Sequence, residues 1–265
     1  MTDKIRELSI VKTDNGHLTV FDDVMGRTMN ETGKSFDFDK FENALNLSGV
    51  NRDKTTLVDV GANIGSICVE ALSAGYFGRA IAIEPEPKNL TLLKANIAIN
   101  ELEDRIDLHQ CAVGEDDDGT ITMELAGNNT GDHRIQVTKD NGRFNEAHRK
   151  TIEIPIRKLD SVTAGHSDLF LCIDTQGFEG QVLSGGTDTL KNTSAIMMEF
   201  WPYGLARSGG YNKVKQALLD SHFEEFMIAD ESGENEEWRE LNEAELDAVY
   251  EQMDNRNKFT DLLIR

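Results

Sequence analysis

The sequence predicts an α/β fold built on a largely parallel sheet with helices on both faces. Three observations carry that expectation. From Thr56 onward, short β-rich runs alternate with amphipathic stretches, the pattern of βαβ units. Several runs, such as Ala80-Ile81-Ala82-Ile83, are apolar throughout, as strands covered on both faces should be. The first of them, Leu57-Val58-Asp59-Val60, passes straight into a glycine-bearing loop and a helix. In an open α/β sheet that loop lies at the carboxyl edge, where ligands bind.

The elements follow in order. Residues 1–55 read as an N-terminal extension with a hairpin around His17–Phe21 and a helix from Phe38 to Leu47. Then come a strand at Thr56–Val60, a helix at Ser66–Ala74, a strand at Arg79–Ile83, a helix at Pro87–Asn100 and a strand at Ile106–Val113. Residues 115–150 break the rhythm: an acidic turn and a strand at Thr120–Leu125 lead into a stretch rich in Gly, Asn, Asp and His. A polar insertion of this length is unusual in a compact domain unless it covers a site. Strands are expected at Thr151–Ile156, Asp168–Asp174 and Ala195–Phe200, and helices at Phe178–Leu190 and Tyr211–Ser221. Phe223–Ala229 and Phe259–Ile264 read as two closing strands, joined by an acidic solvated loop with one short helix. No repeat or Pro-rich linker divides the chain, so one domain at 56–265 follows the extension.

Composition narrows the partners. The 265 residues carry a formal charge of −21, with 38% hydrophobic and 28% charged residues. Such a surface repels phosphate backbones and anionic lipids, and Lys and Arg form no patch to overcome it. The expectation is no nucleic-acid and no membrane partner. The start, MTDKIRELSI, lacks an apolar signal core. Cys68, Cys111 and Cys172 are far apart and beside apolar runs, which suits reduced core cysteines in a cytoplasmic protein.

The most informative stretch is Asp59-Val60-Gly61-Ala62-Asn63-Ile64-Gly65. Gly61 can turn sharply and let a ligand approach the backbone. Gly65 opens the next helix, whose free N–H groups attract electronegative atoms. The spacing is neither the G-x-G-x-x-G of dinucleotide binders nor a phosphate loop with G-K-[ST], which counts against a dehydrogenase. Nineteen residues after Gly65, Glu84 ends the second strand and precedes Pro85. A carboxylate there can accept both hydroxyls of a ribose, or it can cap the following helix.

Together, Asp59–Gly65 and Glu84-Pro85 resemble the first motif and the acidic second-strand residue of class I S-adenosylmethionine-dependent methyltransferases. The phrase VDVGANIGS is most similar to the FkbM family. A second stretch, Ile173-Asp174-Thr175-Gln176-Gly177-Phe178-Glu179 through Val182-Leu183-Ser184-Gly185, resembles that family's I-D-x-Q-G-x-E-x-x-V-L-x-G signature. The resemblance covers roughly residues 55–230. It implies a Rossmann-like seven-stranded sheet, order 3-2-1-4-5-7-6, with the last-numbered strand antiparallel. It also implies S-adenosyl-L-methionine as cofactor. Asp59, Gly61, Ala62, Asn63 and Gly65 would surround its methionine part, Glu84 and Pro85 its ribose, and Cys111, Ala112 and Val113 its adenine.

Methyl transfer from a sulfonium needs alignment, exclusion of water and, for a hydroxyl acceptor, a proton acceptor. Candidates at the carboxyl ends of the later strands are Asp174 and Glu199, with Glu179 one turn into the next helix. Asp174 could contact cofactor or acceptor, or cap that helix; Glu179 could be a base or complement the helix dipole. His133, in the polar insertion, titrates near neutrality and could remove a hydroxyl proton. No metal-ligand pattern stands out, although Asp174 and Glu199 leave a divalent ion possible. The resemblance implies O-methylation, and the acceptor is expected to be a polar small molecule or glycan. N-methylation is disfavoured because Asp174-Thr175-Gln176-Gly177 stands where an Asn/Asp-Pro-Pro-aromatic tetrad would be. A non-catalytic cofactor-binding module with the same fold stays open.

Overall fold

The computed structural model of the chain describes residues 7–35, 37–229, 237–256 and 258–265. An antiparallel hairpin of β1 (Leu8–Lys12) and β2 (His17–Phe21) comes first, followed by α1 (Val24–Thr32) and α2 (Phe38–Ser48). The alternation begins with β3 (Thr56–Val60), α3 (Cys68–Ser73), β4 (Ala80–Ile83), α4 (Pro87–Ile99) and β5 (Ile106–His109). A smaller sheet is formed by β6 (Ala112–Val113), β7 (Thr120–Leu125), β8 (Arg134–Ile135) and β9 (Lys150–Arg157). Then follow α5 (Leu159–Val162), β10 (Leu169–Ile173), α6 (Glu179–Ser184), α7 (Thr187–Lys191) and β11 (Thr193–Phe200). The chain ends with α8 (Pro202–Ser208), α9 (Tyr211–Leu219), β12 (Glu225–Ala229), β13 (Arg239–Glu240), α10 (Glu243–Arg256) and β14 (Thr260–Ile264).

The central sheet runs β5-β4-β3-β10-β11-β14-β12-β13. Its strands from β5 to β11 are parallel, and β14 lies antiparallel between β11 and β12. Apolar side chains alternate between the faces as strand geometry requires. Leu57, Ala80, Ala82 and Phe170 join the core beneath α2, α3 and α4. Val58, Val60, Ile81 and Ile83 join the core beneath the helices after β10. The N-terminal extension shares the first core: Val20, Met29 and Phe41 are buried in it, and Phe41 meets Phe170 edge-on with centroids 5.9 Å apart.

Register matters most for function. Val60 pairs with Ile83 on one side and Ile173 on the other; Ile173 pairs with Met198; Glu199 stands opposite Asp261. Glu84, Gly61, Asp174, Glu199 and Asp261 therefore stand along one edge of the sheet.

Several sequence expectations need correction. The sheet has eight strands rather than seven, because the short β13 adds an edge. The expected strand Ile106–Val113 is two: β5 belongs to the central sheet and β6 pairs with β9. The helix expected at Phe178–Leu190 is broken into α6 and α7 at Gly185-Gly186. There a Cβ on Gly185 would fall 1.9 Å from the Gly114 carbonyl oxygen. α1 and α8 went unforeseen, and the short helix expected between the closing strands is the full-length α10, which buries Leu246, Val249 and Met253. Part of that acidic segment, 230–236, lies outside the described residues, as do residues 1–6 of the N-terminal stretch. Among the described residues, no helix is long and apolar enough to cross a membrane.

Candidate active site

The carboxyl edge of the central sheet opens into a cavity of about 620 Å³, within the size range of small-molecule sites. Asp59, Gly61, Ala62, Asn63, Glu84, Pro85, Cys111, Ala112, Val113, His133, Asp174 and Glu199 all line it. The strand register and three loops thus bring together twelve of the fourteen residues singled out from sequence.

The two exceptions have structural work. Gly65 does not line the cavity; a Cβ on it would lie 2.7 Å from both Leu93 and Val69 side-chain atoms, so it lets the loop pack on α3 and α4. Glu179 is fully buried behind the cavity wall. Its Oε1 accepts from Thr175 N, Thr175 Oγ1 and Gly177 N, each at 3.0 Å, and so shapes the loop that presents Asp174. It holds that loop rather than serving as a base in contact with an acceptor.

On the β3–β4 side, the glycine loop is pinned to its neighbour strand: Gly61 N and Ala62 N both donate to Ile83 O at 3.0 Å. Gly61 has φ +90°, and a Cβ there would fall 1.9 Å from Asp174 O. No side chain fits where these two loops cross. Asn63 also takes a left-handed conformation, φ 53°, which asparagine tolerates better than most residues. Asp59 Oδ2 accepts from Cys68 N at 3.1 Å, so it caps α3 while also facing the cavity. Burial pushes its carboxyl up to about 6.

Glu84 is not the helix cap. Glu86 takes that role, its Oε2 accepting from Lys88 N and Asn89 N at 2.7 Å. Glu84 accepts from Asn63 N at 2.9 Å through Oε2 and from Glu86 N at 2.7 Å through Oε1. Each oxygen keeps a lone pair for a ligand hydroxyl. Burial pushes Glu84 up to about 8.

Across the cavity, Gln176 sits at φ 54° and its Nε2 donates to Asp174 Oδ1 at 2.7 Å and to Glu199 Oε1 at 3.2 Å. Desolvation by the surrounding protein pushes Asp174 up to about 7. Burial, and then the Asp174 and Glu179 charges, push Glu199 well above the usual carboxylate range. Lys40, which sequence reasoning passed over, bridges Asp261 Oδ2 at 2.6 Å and Asp37 Oδ1 at 3.0 Å. Asp37 and Asp261 both line the cavity. Register with Glu199 on β11 was the available clue to Asp261.

The polar insertion forms the remaining wall. Asp23, at the start of α1, accepts from Thr130 N at 2.9 Å and Thr130 Oγ1 at 2.7 Å, and Asn89 Nδ2 donates to Thr130 O at 3.0 Å. The N-terminal extension and α4 thereby clamp the insertion over the cavity. Met25 on α1 lines it too, with Asn63 Nδ2 3.4 Å from its sulfur. His133 Nδ1 accepts from Ala126 N at 3.0 Å. That bond places the proton of a neutral ring on Nε2. The geometry therefore suits His133 as a hydrogen-bond donor and not as the base expected from sequence.

Arg134 anchors the wall. Its guanidinium lies 4.5 Å from the Trp201 ring centre and 4.8 Å from that of Phe144. It donates to Asp132 Oδ1 at 2.8 Å and to Glu146 Oε1 at 3.0 Å. Tyr203 also donates to Glu146 Oε1, at 2.6 Å. Burial opposes charge on Glu146, but hydrogen bonds from Tyr203 and Phe144 N, together with Arg134, hold its carboxyl below the usual range. Removing one partner of a buried ion pair leaves the other uncompensated. Arg134→Met is expected to cost about 3 kcal/mol on that scale, and Arg134→Met/Glu146→Gln less, measured by urea unfolding. Equal losses in both variants would show that the pair does not hold the wall.

Among solved structures, the chain is similar to precorrin-6y C5,15-methyltransferase from Geobacter metallireducens, with 12% identity, TM-score 0.44, and coverage of 84% of this chain and 86% of that one. It is also similar to the m1A22 tRNA methyltransferase of B. subtilis, with 9% identity, TM-score 0.46, and coverage of 87% and 66%. For the tRNA m1G37 methyltransferase of M. jannaschii the values are 14% identity, TM-score 0.43, and coverage of 98% and 54%. No curated protein matches significantly in sequence. Residues 59–244, which run from the aspartate of the glycine loop into α10, match the methyltransferase FkbM domain, and the chain belongs to that methyltransferase family.

Proposed function

We propose that this protein transfers a methyl group from S-adenosyl-L-methionine to a hydroxyl oxygen of a polar small molecule or glycan. The observation that carries the reading is the row Glu84, Gly61, Asp174, Glu199 along one sheet edge, all facing one cavity. The residues fit the cofactor. Asn63 Oδ1 and Asn89 Oδ1 are buried without a hydrogen-bond partner, and both residues line the cavity, ready for ligand donors. Glu84 would hold the ribose hydroxyls, the Asp59–Asn63 loop the methionine part, and Cys111, Ala112 and Val113 the adenine.

When bound, the cofactor supplies an electrophilic methyl on a sulfonium. The chain supplies the rest. Asp174 and Glu199 face the acceptor side, and one of their carboxylates takes the hydroxyl proton as the oxygen attacks. His133 lines the wall, and Trp201 and Phe144 close it against water. We read 56–265 as the methyltransferase domain, with residues 1–55 and the insertion at 115–150 as its covers. Incubation with methyl-labelled cofactor and two acceptor panels, hydroxylated sugars and metabolites against amines, tests the assignment. Label is expected only in the hydroxyl panel, and to disappear with Asp174→Ala. Label confined to amines would overturn O-methylation.

A further inference from the structure

Asp174, Glu179 and Glu199 each place an oxygen within 4.8 Å of the other two. Glu179 and Glu199 are 0% and 7% exposed. Three carboxylates so close repel one another, and the two buried ones, Glu179 and Glu199, lose hydration as well while Asp174 stays open to solvent; the site therefore favours positive charge or protons. Among the described residues, Lys40 is already engaged by Asp37 and Asp261, and Arg134 by Asp132 and Glu146. An amide, Gln176 Nε2, bridges Asp174 and Glu199.

A separate observation singles out the third member. Glu179 Oε1 is saturated by its three loop donors, whereas Glu179 Oε2 is buried with no hydrogen-bond partner. A buried, orphaned carboxylate oxygen calls for a ligand. We infer that Asp174, Glu179 and Glu199 form a binding site for a hard divalent cation, at the acceptor end of the cavity.

The chemistry of the donor set is all oxygen, which suits Mg²⁺, Mn²⁺ or Ca²⁺, bound at about 2.0–2.6 Å. Oxygens around such an ion lie up to roughly 4–5 Å apart, in keeping with the observed spacing. Gln176 is placed to join them. Rotating its side-chain amide by half a turn exchanges Nε2 for Oε1, turning a donor that bridges two carboxylates into a fourth oxygen ligand. Asp174 and Glu199 open onto the cavity, so remaining coordination positions face the acceptor. The ion would therefore favour acceptors that present oxygen atoms. That last point rests on the proposed methyl transfer; the binding of the ion does not.

The test is Mn²⁺ titration of the full chain followed by electron paramagnetic resonance, without nucleoside. One tight Mn²⁺ per chain is expected, displaced by Mg²⁺ or Ca²⁺. Glu199→Gln and Glu179→Gln are each expected to weaken it by at least about tenfold, the scale at which even supporting groups of metal sites act. Glu179→Gln keeps Oε1 for the loop and removes the buried charge at the orphaned position. In EDTA its melting temperature should equal or exceed that of the parent, whereas a purely structural role predicts a fall. Absence of Mn²⁺ binding up to millimolar concentration, or binding unchanged in both variants, overturns the site. Calorimetry with S-adenosylhomocysteine on the same samples reports the cofactor reading separately.

Discussion

Gly61→Ala is expected to lose sulfur-nucleoside binding and to unfold at a temperature lower by roughly 6–12 °C. The added Cβ would lie 1.9 Å from the Asp174 carbonyl oxygen, on a residue with φ +90°. A non-glycine residue in a left-handed conformation costs about 1–2 kcal/mol, and forcing apart packed backbone costs about 1–3 kcal/mol more. A total of about 3 kcal/mol corresponds to that melting shift for a chain of this size. The clash separates the ends of β3 and β10, so the distance between the glycine loop and Asp174 opens along with it. Gly78→Ala is the control: no atom lies within 4 Å of its added Cβ and its φ is ordinary. Differential scanning calorimetry of both variants checks the expectation, and equal melting temperatures would show that the loop crossing is not tight.

The second large effect belongs to Glu84. Burial raises its carboxyl to about 8, so much of the free protein carries it protonated at neutral pH. Ribose hydroxyls donate more strongly to an ionised carboxylate. Cofactor binding therefore favours the deprotonated form, and affinity is expected to rise as pH increases through about 6 to 8 and to level off above. The slope is at most tenfold per pH unit, since one proton is released. Glu84→Gln keeps the shape but cannot ionise. It is expected to bind S-adenosylhomocysteine about 1.5–3 kcal/mol more weakly at pH 8.5, the scale of hydrogen bonds to charged groups. It should also lose this part of the pH dependence. Comparing the two proteins at each pH cancels ionisation of the nucleoside's own amino group. An unchanged affinity in folded Glu84→Gln would remove Glu84 from the site.

Local chemistry made the first half of this site legible in the sequence. The glycine loop, Glu84 and the strand that delivers Asp174 are contiguous patterns, and parallel register brings their ends abreast. Residues whose roles depend on contacts made only in the folded chain were harder to read. Glu179 looks like any first-turn acid until Thr175 and Gly177 are seen folding back onto it. Gly65 belongs to the motif but answers to Leu93, on α4. His133 offers both nitrogens in sequence, and only the fold shows one bound to Ala126 N. Phe144, Trp201 and Arg134 meet across 67 residues of chain, and Lys40 reaches Asp261 across 221. α10 was misread as a short helix in a solvated loop: Leu246, Val249 and Met253 recur at helical spacing, but the acidic composition around them concealed that stripe.

Calorimetric titration of the folded protein with S-adenosylhomocysteine and S-adenosylmethionine, with NAD as the control, tests the central claim most directly. Micromolar binding of both sulfur nucleosides at one site per chain, and none of NAD, is the predicted result. Absence of binding to either nucleoside, at pH 8.5 where Glu84 is ionised and with Mn²⁺ present, would contradict the account.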